Sequence, residues 1–371
     1  MKNDMKVVIS GGGTGGHVFP AIAIANALKK IDANVDILFI GAEGKIEMEK
    51  VPKAGFKIEG LPIMGFHRKL TLRNLAFPFK LIKSLLKARK IIKNFNPNVV
   101  IGTGGYASGP ALKMANRLNI PTVLQEQNSY AGVTNRLLAQ KASAICVAYD
   151  GLSKFFPSEK LTVTGNPVRK DLLINKNEIA IAKAHFGLDD KKKTILVMGG
   201  SLGARTINQA MDRATDLIAK REDVQVIWQM GRLYEDDFMN CPTALLPNVH
   251  AMVFIDRMDY AYAVADVAVC RAGALTISEL MVAGVPSVLV PSPNVAEDHQ
   301  TNNAMALVNS GAALMVKDVA ARTEMWSNTI KLLDNDDLRK KLKTKLLAIA
   351  KPNADDEIAQ IAISVAQGKR K

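Results

Sequence analysis

Residues 5–31 read MKVVISGGGTGGHVFPAIAIANALKKI. A short apolar run rich in Val and Ile leads into a glycine loop, and the loop leads into a longer stretch with helical character. This is the opening unit of a doubly wound α/β sheet: strand, glycine turn, helix. Residues 194–204, TILVMGGSLGA, repeat the layout. Two such openings in one chain predict two Rossmann-like α/β domains.

Working outward, further buried strands are expected at residues 35–40, 98–102, 121–125 and 144–148, with the stretch 161–169 closing the first half. They are near-continuous apolar runs, as parallel strands covered on both faces must be. In the second half, residues 223–229, 249–254, 266–270 and 286–290 follow the same pattern. Residues 170–193 are polar and lysine-rich around a short helical segment, and read as a connection. The chain is mostly helical from residue 320 and ends in an amphipathic helix with a basic tail. The expected domains are 1–168 and 169–350. Residues 351–371 form a tail that has the option of packing back toward the first domain.

Composition supports this reading. The 371 residues correspond to two or three domains at roughly 150 residues each. An apolar content of 48% with 23% charged residues excludes disordered and collagen-like classes. Cys146, Cys241 and Cys270 have neither metal-site nor redox-pair spacing, which suits a reducing compartment. No apolar run reaches the length of a membrane span, and the N-terminal run is too short for a signal peptide. The net charge of +14 is concentrated: residues 60–125 contain no Asp or Glu but eleven Lys or Arg. Nucleic acid and an anionic membrane surface are the two partners such a field suggests. No base-reading or stacking module accompanies it, so nucleic acid is not expected.

The chemistry-bearing motifs follow strands. Gly11, Gly13 and Gly16 satisfy a G-x-G-x-x-G spacing, but the acid expected about 20 residues on is poorly matched by Glu43. Three consecutive glycines also offer backbone N–H groups to any diphosphate. His17 follows directly, and a neutral imidazole there can accept a proton from an attacking hydroxyl. Residues 102–110, GTGGYASGP, form a second anion-cradling candidate. Residues 125–136, QEQNSYAGVTNR, place Gln125, Glu126, Gln127, Asn128 and Asn135 at a strand's carboxyl end, where open α/β sheets bind ligands. In the second half, residues 199–204 (GGSLGA) offer a phosphate loop with Ser201. Residues 271–280 (RAGALTISEL) offer Thr276, Ser278 and the acid Glu279, and residues 297–304 (EDHQTNNA) bring His299 and Gln300 to a helix start. In that order these elements compose a nucleotide-sugar site.

Residues 11–21, 102–110, 125–136, 164–169 (TGNPVR), 199–204, 254–258 (FIDRM) and 271–280 are spread in order over the first three quarters of the chain. Their ensemble resembles glycosyltransferase family 28, in particular its bacterial undecaprenyl-pyrophosphoryl-muramoyl-pentapeptide N-acetylglucosaminyltransferases. The resemblance implies a GT-B fold and a UDP-GlcNAc-dependent hexosyltransferase. Its second domain would bind UDP-N-acetylglucosamine and its first would receive lipid I. An inverting transfer to the 4-hydroxyl of the muramoyl sugar would give β-1,4-linked lipid II for peptidoglycan synthesis, and with it cell-wall biogenesis, cell shape and division. It further implies a peripheral protein on the cytoplasmic face of the inner membrane, and allows cell-wall synthesis proteins as partners. By resemblance, Arg169, Ser201, Ile255 and Gln300 contact the donor, Ile255 through its main chain to uracil and Gln300 at the sugar, while Glu279 holds the ribose. Thr14, Gly15, Gly16 and Asn128 fall in the substrate region. His17 and Glu126 are the catalytic candidates on the acceptor side. His299 stands where many relatives carry the first of two glutamines.

No cofactor or metal is expected, because helix N-termini, Ser201 and Arg169 can hold the leaving diphosphate. A glycolipid-forming transferase, an NAD-dependent oxidoreductase and a non-catalytic scaffold remain as alternatives. The segment LAFPFKLIKSLLKARKIIKNF, residues 75–95, interleaves Phe, Leu and Ile with Lys80, Lys83, Lys87, Arg89, Lys90 and Lys93. It is expected to dock on a membrane.

Overall fold

The computed structural model describes residues 5–63, 77–168, 172 and 176–368. The chain divides into two compact units, Met1–Val168 with Pro352–Lys371, and Arg169–Lys351.

In the first unit the elements run β1 (Lys6–Gly11), α1 (Gly15–Ile31), β2 (Asp36–Ala42), α2 (Glu47–Lys53), β3 (Lys57–Leu61), α3 (Phe77–Phe95), β4 (Val99–Gly104), α4 (Ser108–Arg117), β5 (Thr122–Glu126), α5 (Val133–Leu138), β6 (Ala144–Val147) and β7 (Leu161–Val163). Among the described residues the strands form one parallel sheet in the order β3-β2-β1-β4-β5-β6-β7. Successive residues of a strand face opposite sides. Val7 and Ile9 of β1 therefore join Ile37, Phe39, Val99 and Ile101 in a core under α1, completed by Val18, Ile24 and Leu28. Val8 joins Ile40, Val100 and Leu124 on the other face, against Ala88 and Ile92 of α3 and Ala111 and Leu112 of α4. Both faces are covered, which is why the strands read as unbroken apolar runs.

In the second unit the elements are α6 (Lys176–Phe186), β8 (Lys193–Met198), α7 (Arg205–Arg213), α8 (Thr215–Ala219), β9 (Val224–Gln229), α9 (Glu235–Phe238), β10 (Val249–Met252), α10 (Met258–Val264), β11 (Val267–Cys270), α11 (Ala274–Ala283), β12 (Ser287–Leu289), α12 (His299–Asn309), β13 (Leu314–Met315), α13 (Ala321–Asp334) and α14 (Asp336–Ile349). This sheet is also parallel, ordered β10-β9-β8-β11-β12-β13. Trp228 lies fully buried on β9, and its indole N–H donates to Asn208 Oδ1 at 3.2 Å. The last helix, α15 (Ala354–Ala366), belongs to the first unit. Ile358, Ala359, Ile361, Ala362 and Val365 recur at helical spacing and join the core beneath α1.

Two strands are not foreseen by the apolar pattern. β3 is an edge strand with Lys57 and Glu59 exposed, so it has one covered face and no apolar run. β13 is only two residues long. The segment expected as a connection contains α6, which packs on α10 and buries Ala182 and Phe186 within the second unit.

Candidate active site

Each sheet has a switch point where the strand order reverses, between β1 and β4 in one unit and between β8 and β11 in the other. Loops at the carboxyl ends of these strands are where open α/β folds hold ligands. The motifs read from sequence lie after these strands or after β5, β7, β10 and β12.

In the first unit the two glycine loops pack against each other. A Cβ on Gly105 would come within 2.1 Å of the Gly12 carbonyl oxygen, and one on Gly11 within 1.8 Å of Thr103 Oγ1. The glycines thus serve backbone contact, and the loops are not two separate open cradles. Gly12 N–H donates to Gly104 O at 3.3 Å. Gly13 N–H donates to Glu47 Oε2 at 2.9 Å, and Ala42 N–H donates to Glu47 Oε1 at 2.9 Å. Glu47 is fully buried, so a carboxylate of the chain already occupies part of the nest. A dinucleotide pyrophosphate would need that same Gly13 amide. Glu43, the weak candidate for its ribose, is exposed and pairs with Lys87 at 2.9 Å. Thr14 stands exposed before α1, and Gly15 and Gly16 contribute first-turn N–H groups that have no acceptor within the helix.

His17 lies in that first turn, half-buried. Its Nδ1 is 3.2 Å from Gln127 Oε1, and its backbone oxygen accepts from Thr103 Oγ1 at 2.9 Å. Glu126 is nearly fully buried at the end of β5. Its Oε1 accepts from Asn128 N at 3.1 Å and Asn128 Nδ2 at 3.3 Å. Its Oε2 accepts from Gly132 N at 3.0 Å and Asn135 Nδ2 at 2.9 Å. Four donors on two oxygens make Glu126 the organiser of the loop between β5 and α5, and Asn128 is one of the groups it positions.

In the second unit, the loop after β8 carries Ser201 exposed ahead of α7. Gly203, at φ +82°, lies against the turn after β9, where its Cβ would meet Met230 O at 2.0 Å. Gly200 O accepts from Gln229 Nε2 at 3.1 Å. Ile255 is buried beside a cavity of about 330 Å³ that His185, Phe186, His250 and Phe254 also line. Burial, with Lys192 adding to it, holds the His250 imidazole below its ordinary range. Glu279 lies half-buried on α11, where Oε2 accepts from the Tyr262 hydroxyl at 2.9 Å. Gln300 is the second residue of α12, which follows two left-handed residues, Glu297 (φ +56°) and Asp298 (φ +48°). Such backbone is costly without glycine and recurs where a loop is shaped for a ligand. Gln300 Oε1 accepts from Ser292 N at 2.8 Å.

Several readings change. Arg169 lies outside the described residues, as do Arg68, Lys69, Arg73 and Leu75 of the basic stretch. Ser278 is buried and donates to Ala274 O at 3.0 Å, so its hydroxyl serves its own helix. Arg271 donates to Val290 O and Pro291 O and pairs with Asp318, fixing the end of β12. Sequence reasoning also passes over one D-x-D triplet, Asp334, Asn335 and Asp336. It is not placed as a cation site: Asn335 Oδ1 caps α14 by accepting from Leu338 N, Asp334 pairs with Arg221, and Asp336 with Arg339. Among the described residues no cluster of His, Cys, Asp or Glu is arranged to hold a metal. Glu47 and Tyr262 are the site residues with no sequence signal, since both act across turns of the fold.

On α3, Ser84, Ala88 and Ile92 face the core, while Phe79, Ile82 and Leu86 are 76%, 56% and 64% exposed. The latter share one face of the helix at i, i+3 and i+7. Lys83, Lys90 and Lys93 are exposed on the same side. Not all of the apolar surface of α3 is therefore consumed by packing. No helix among the described residues is long and apolar enough to cross a membrane.

Two doubly wound parallel units, each with loops at the carboxyl ends of its strands, make up a GT-B fold. The glycosyltransferase family 28 N-terminal domain matches residues 7–147 and the family 28 C-terminal domain matches residues 194–359. The chain belongs to glycosyltransferase family 28. A Bacteroides fragilis relative is 51% identical over 365 residues, covering 98% of this chain and 96% of its own. Its name is UDP-N-acetylglucosamine--N-acetylmuramyl-(pentapeptide) pyrophosphoryl-undecaprenol N-acetylglucosamine transferase. A Bacteroides thetaiotaomicron relative of the same name is 50% identical over the full length of both chains. The crystal structure of Acinetobacter baumannii MurG superposes with a TM-score of 0.77 at 28% identity, covering 98% of this chain and 100% of that one.

Proposed function

We propose that this chain is the inverting transferase that moves N-acetylglucosamine from UDP-N-acetylglucosamine to the 4-hydroxyl of the muramoyl sugar of lipid I, yielding lipid II and UDP. The observation that carries this is the full-length identity of about half to relatives bearing that name.

The unit built on β8–β13 takes the donor in this reading. Ser201 and the start of α7 receive the diphosphate, and Arg169 joins them as a donor contact by family resemblance alone. The main chain at Ile255 receives uracil next to the cavity lined by Phe254. Glu279 accepts the ribose hydroxyls, oriented by Tyr262. Gln300, whose carbonyl oxygen is bonded to Ser292 N, turns its amide nitrogen to the sugar.

The unit built on β1–β7 takes the acceptor. Thr14, Gly15 and Gly16 meet its diphosphate or sugar, and Asn128 a sugar or peptide amide. His17 takes the hydroxyl proton as the new bond to the anomeric carbon forms and the bond to the β-phosphate oxygen breaks, with UDP leaving. The four donors already on Glu126 favour His17 over Glu126 for this role.

The exposed Phe79, Ile82 and Leu86 among lysines support docking of α3 on an anionic leaflet, each lysine near that surface adding about 1 kcal/mol. A lipid-tethered acceptor requires such a location, peripheral and on the side where UDP-N-acetylglucosamine is found. Release of UDP from UDP-N-acetylglucosamine tests the assignment. It should require lipid I or a short-chain analogue, and release that ignores the acceptor would refute it.

A further inference from the structure

Around His17 lies a chain of buried amides whose orientations are fixed by backbone carbonyls. Gln127 Nε2 donates to Thr103 O at 2.7 Å. A carbonyl can only accept, so the other end of the Gln127 amide, Oε1, must face His17 Nδ1. The same logic holds one step further back. Asn166 Nδ2 donates to Gln127 O at 3.0 Å, which turns Asn166 Oδ1 toward Gln125 Nε2, its donor at 2.9 Å. Gln125 Oε1 is thereby left to accept from Gln127 Nε2. Gln125, Gln127 and Asn166 are all essentially buried, and flipping any one of them would set like groups against each other.

We infer that Gln127 is a positioning residue that locks His17 in the Nδ1–H tautomer and leaves the Nε2 lone pair as the proton acceptor. Which nitrogen of a histidine carries the proton is set by the bond the other makes. The ring is in this way held ready to accept a proton without first moving one. The inference rests on the reading of His17 as the base, and adds how the base is prepared.

The test is a long-range proton–nitrogen correlation spectrum of the full chain labelled with 15N-histidine, at about pH 9, above the ordinary histidine range. His17→Asn identifies the signal. Wild-type protein should show a protonated Nδ1 and a bare Nε2 at His17. A protonated Nε2, or an averaged ring, overturns the inference with no variant of Gln127 needed. Gln127→Met keeps the volume and removes the acceptor. It should return the ring to the Nε2–H form and lower kcat by about tenfold or more, as expected of a misplaced imidazole proton, at unchanged donor KM. If the tautomer switches while kcat holds, Gln127 sets the ring but His17 moves no proton; that outcome removes the functional reading and not the tautomer assignment.

Discussion

The Tyr262 hydroxyl donates to Glu279 Oε2 at 2.9 Å, from a side chain only 2% exposed. The two residues come from successive helices, α10 and α11, on either side of β11. A buried phenol thus ties a half-buried carboxylate of α11 to α10.

Removing that carboxylate should weaken donor binding. Loss of a hydrogen bond to a charged group costs about 1.5–3 kcal/mol. Glu279→Ala is expected to raise the UDP-N-acetylglucosamine KM about tenfold or more, and Tyr262→Phe to raise it by a smaller factor, with both proteins folded. Steady-state kinetics on the donor decides this; an unchanged KM in Glu279→Ala rejects the ribose assignment.

His17→Ala should act on turnover. A general base contributes about 10²–10⁴ in rate, so kcat should fall by that order while donor KM changes little. A loss below about fivefold, joined to a lower melting temperature, would leave His17 as a structural residue of the first turn.

Glu47 should matter for stability. Its carboxylate receives the Gly13 and Ala42 amides in a fully buried position. Glu47→Ala strands both donors, at about 1–3 kcal/mol for each. Thermal or urea unfolding should show a loss of that order, with the glycine loop loosened and acceptor KM raised. A melting curve superimposable on wild type would contradict this account of the loop.

The face of α3 should govern use of a membrane-borne acceptor. Lys80→Glu with Lys83→Glu, and separately Phe79→Ser with Leu86→Ser, should reduce co-sedimentation with anionic vesicles. Both should slow transfer to vesicle-borne lipid I and leave a soluble short-chain acceptor almost untouched. Equal vesicle binding by variants and wild type would return α3 to the status of an ordinary solvated helix.

What the sequence made legible follows a physical division. Strands covered on both faces, such as β1 and β8, are largely apolar and run into a glycine loop ahead of the next helix; they were readable with their loops. Edge strands need neither property, and β3, with Lys57 and Glu59 outward, left no trace. Interactions between distant turns were likewise silent. Gly13 meets Glu47 across 34 positions and His17 meets Gln127 across 110. Chemical density at residues 125–136 was visible, but not its division of labour, in which Glu126 builds the loop and Gln127 addresses His17. The triplet at Asp334 shows the converse, a spacing with ligand chemistry that the fold spends on a helix cap and surface ion pairs.

Transfer itself tests the central claim most directly. Full-length protein is incubated with UDP-N-acetylglucosamine labelled in the sugar, together with either a lipid I analogue or diacylglycerol. Label should appear in the lipid I product, one UDP released per sugar transferred, and diacylglycerol should remain unlabelled. Folded protein that transfers nothing to the lipid I analogue, or that prefers diacylglycerol, would contradict the assignment.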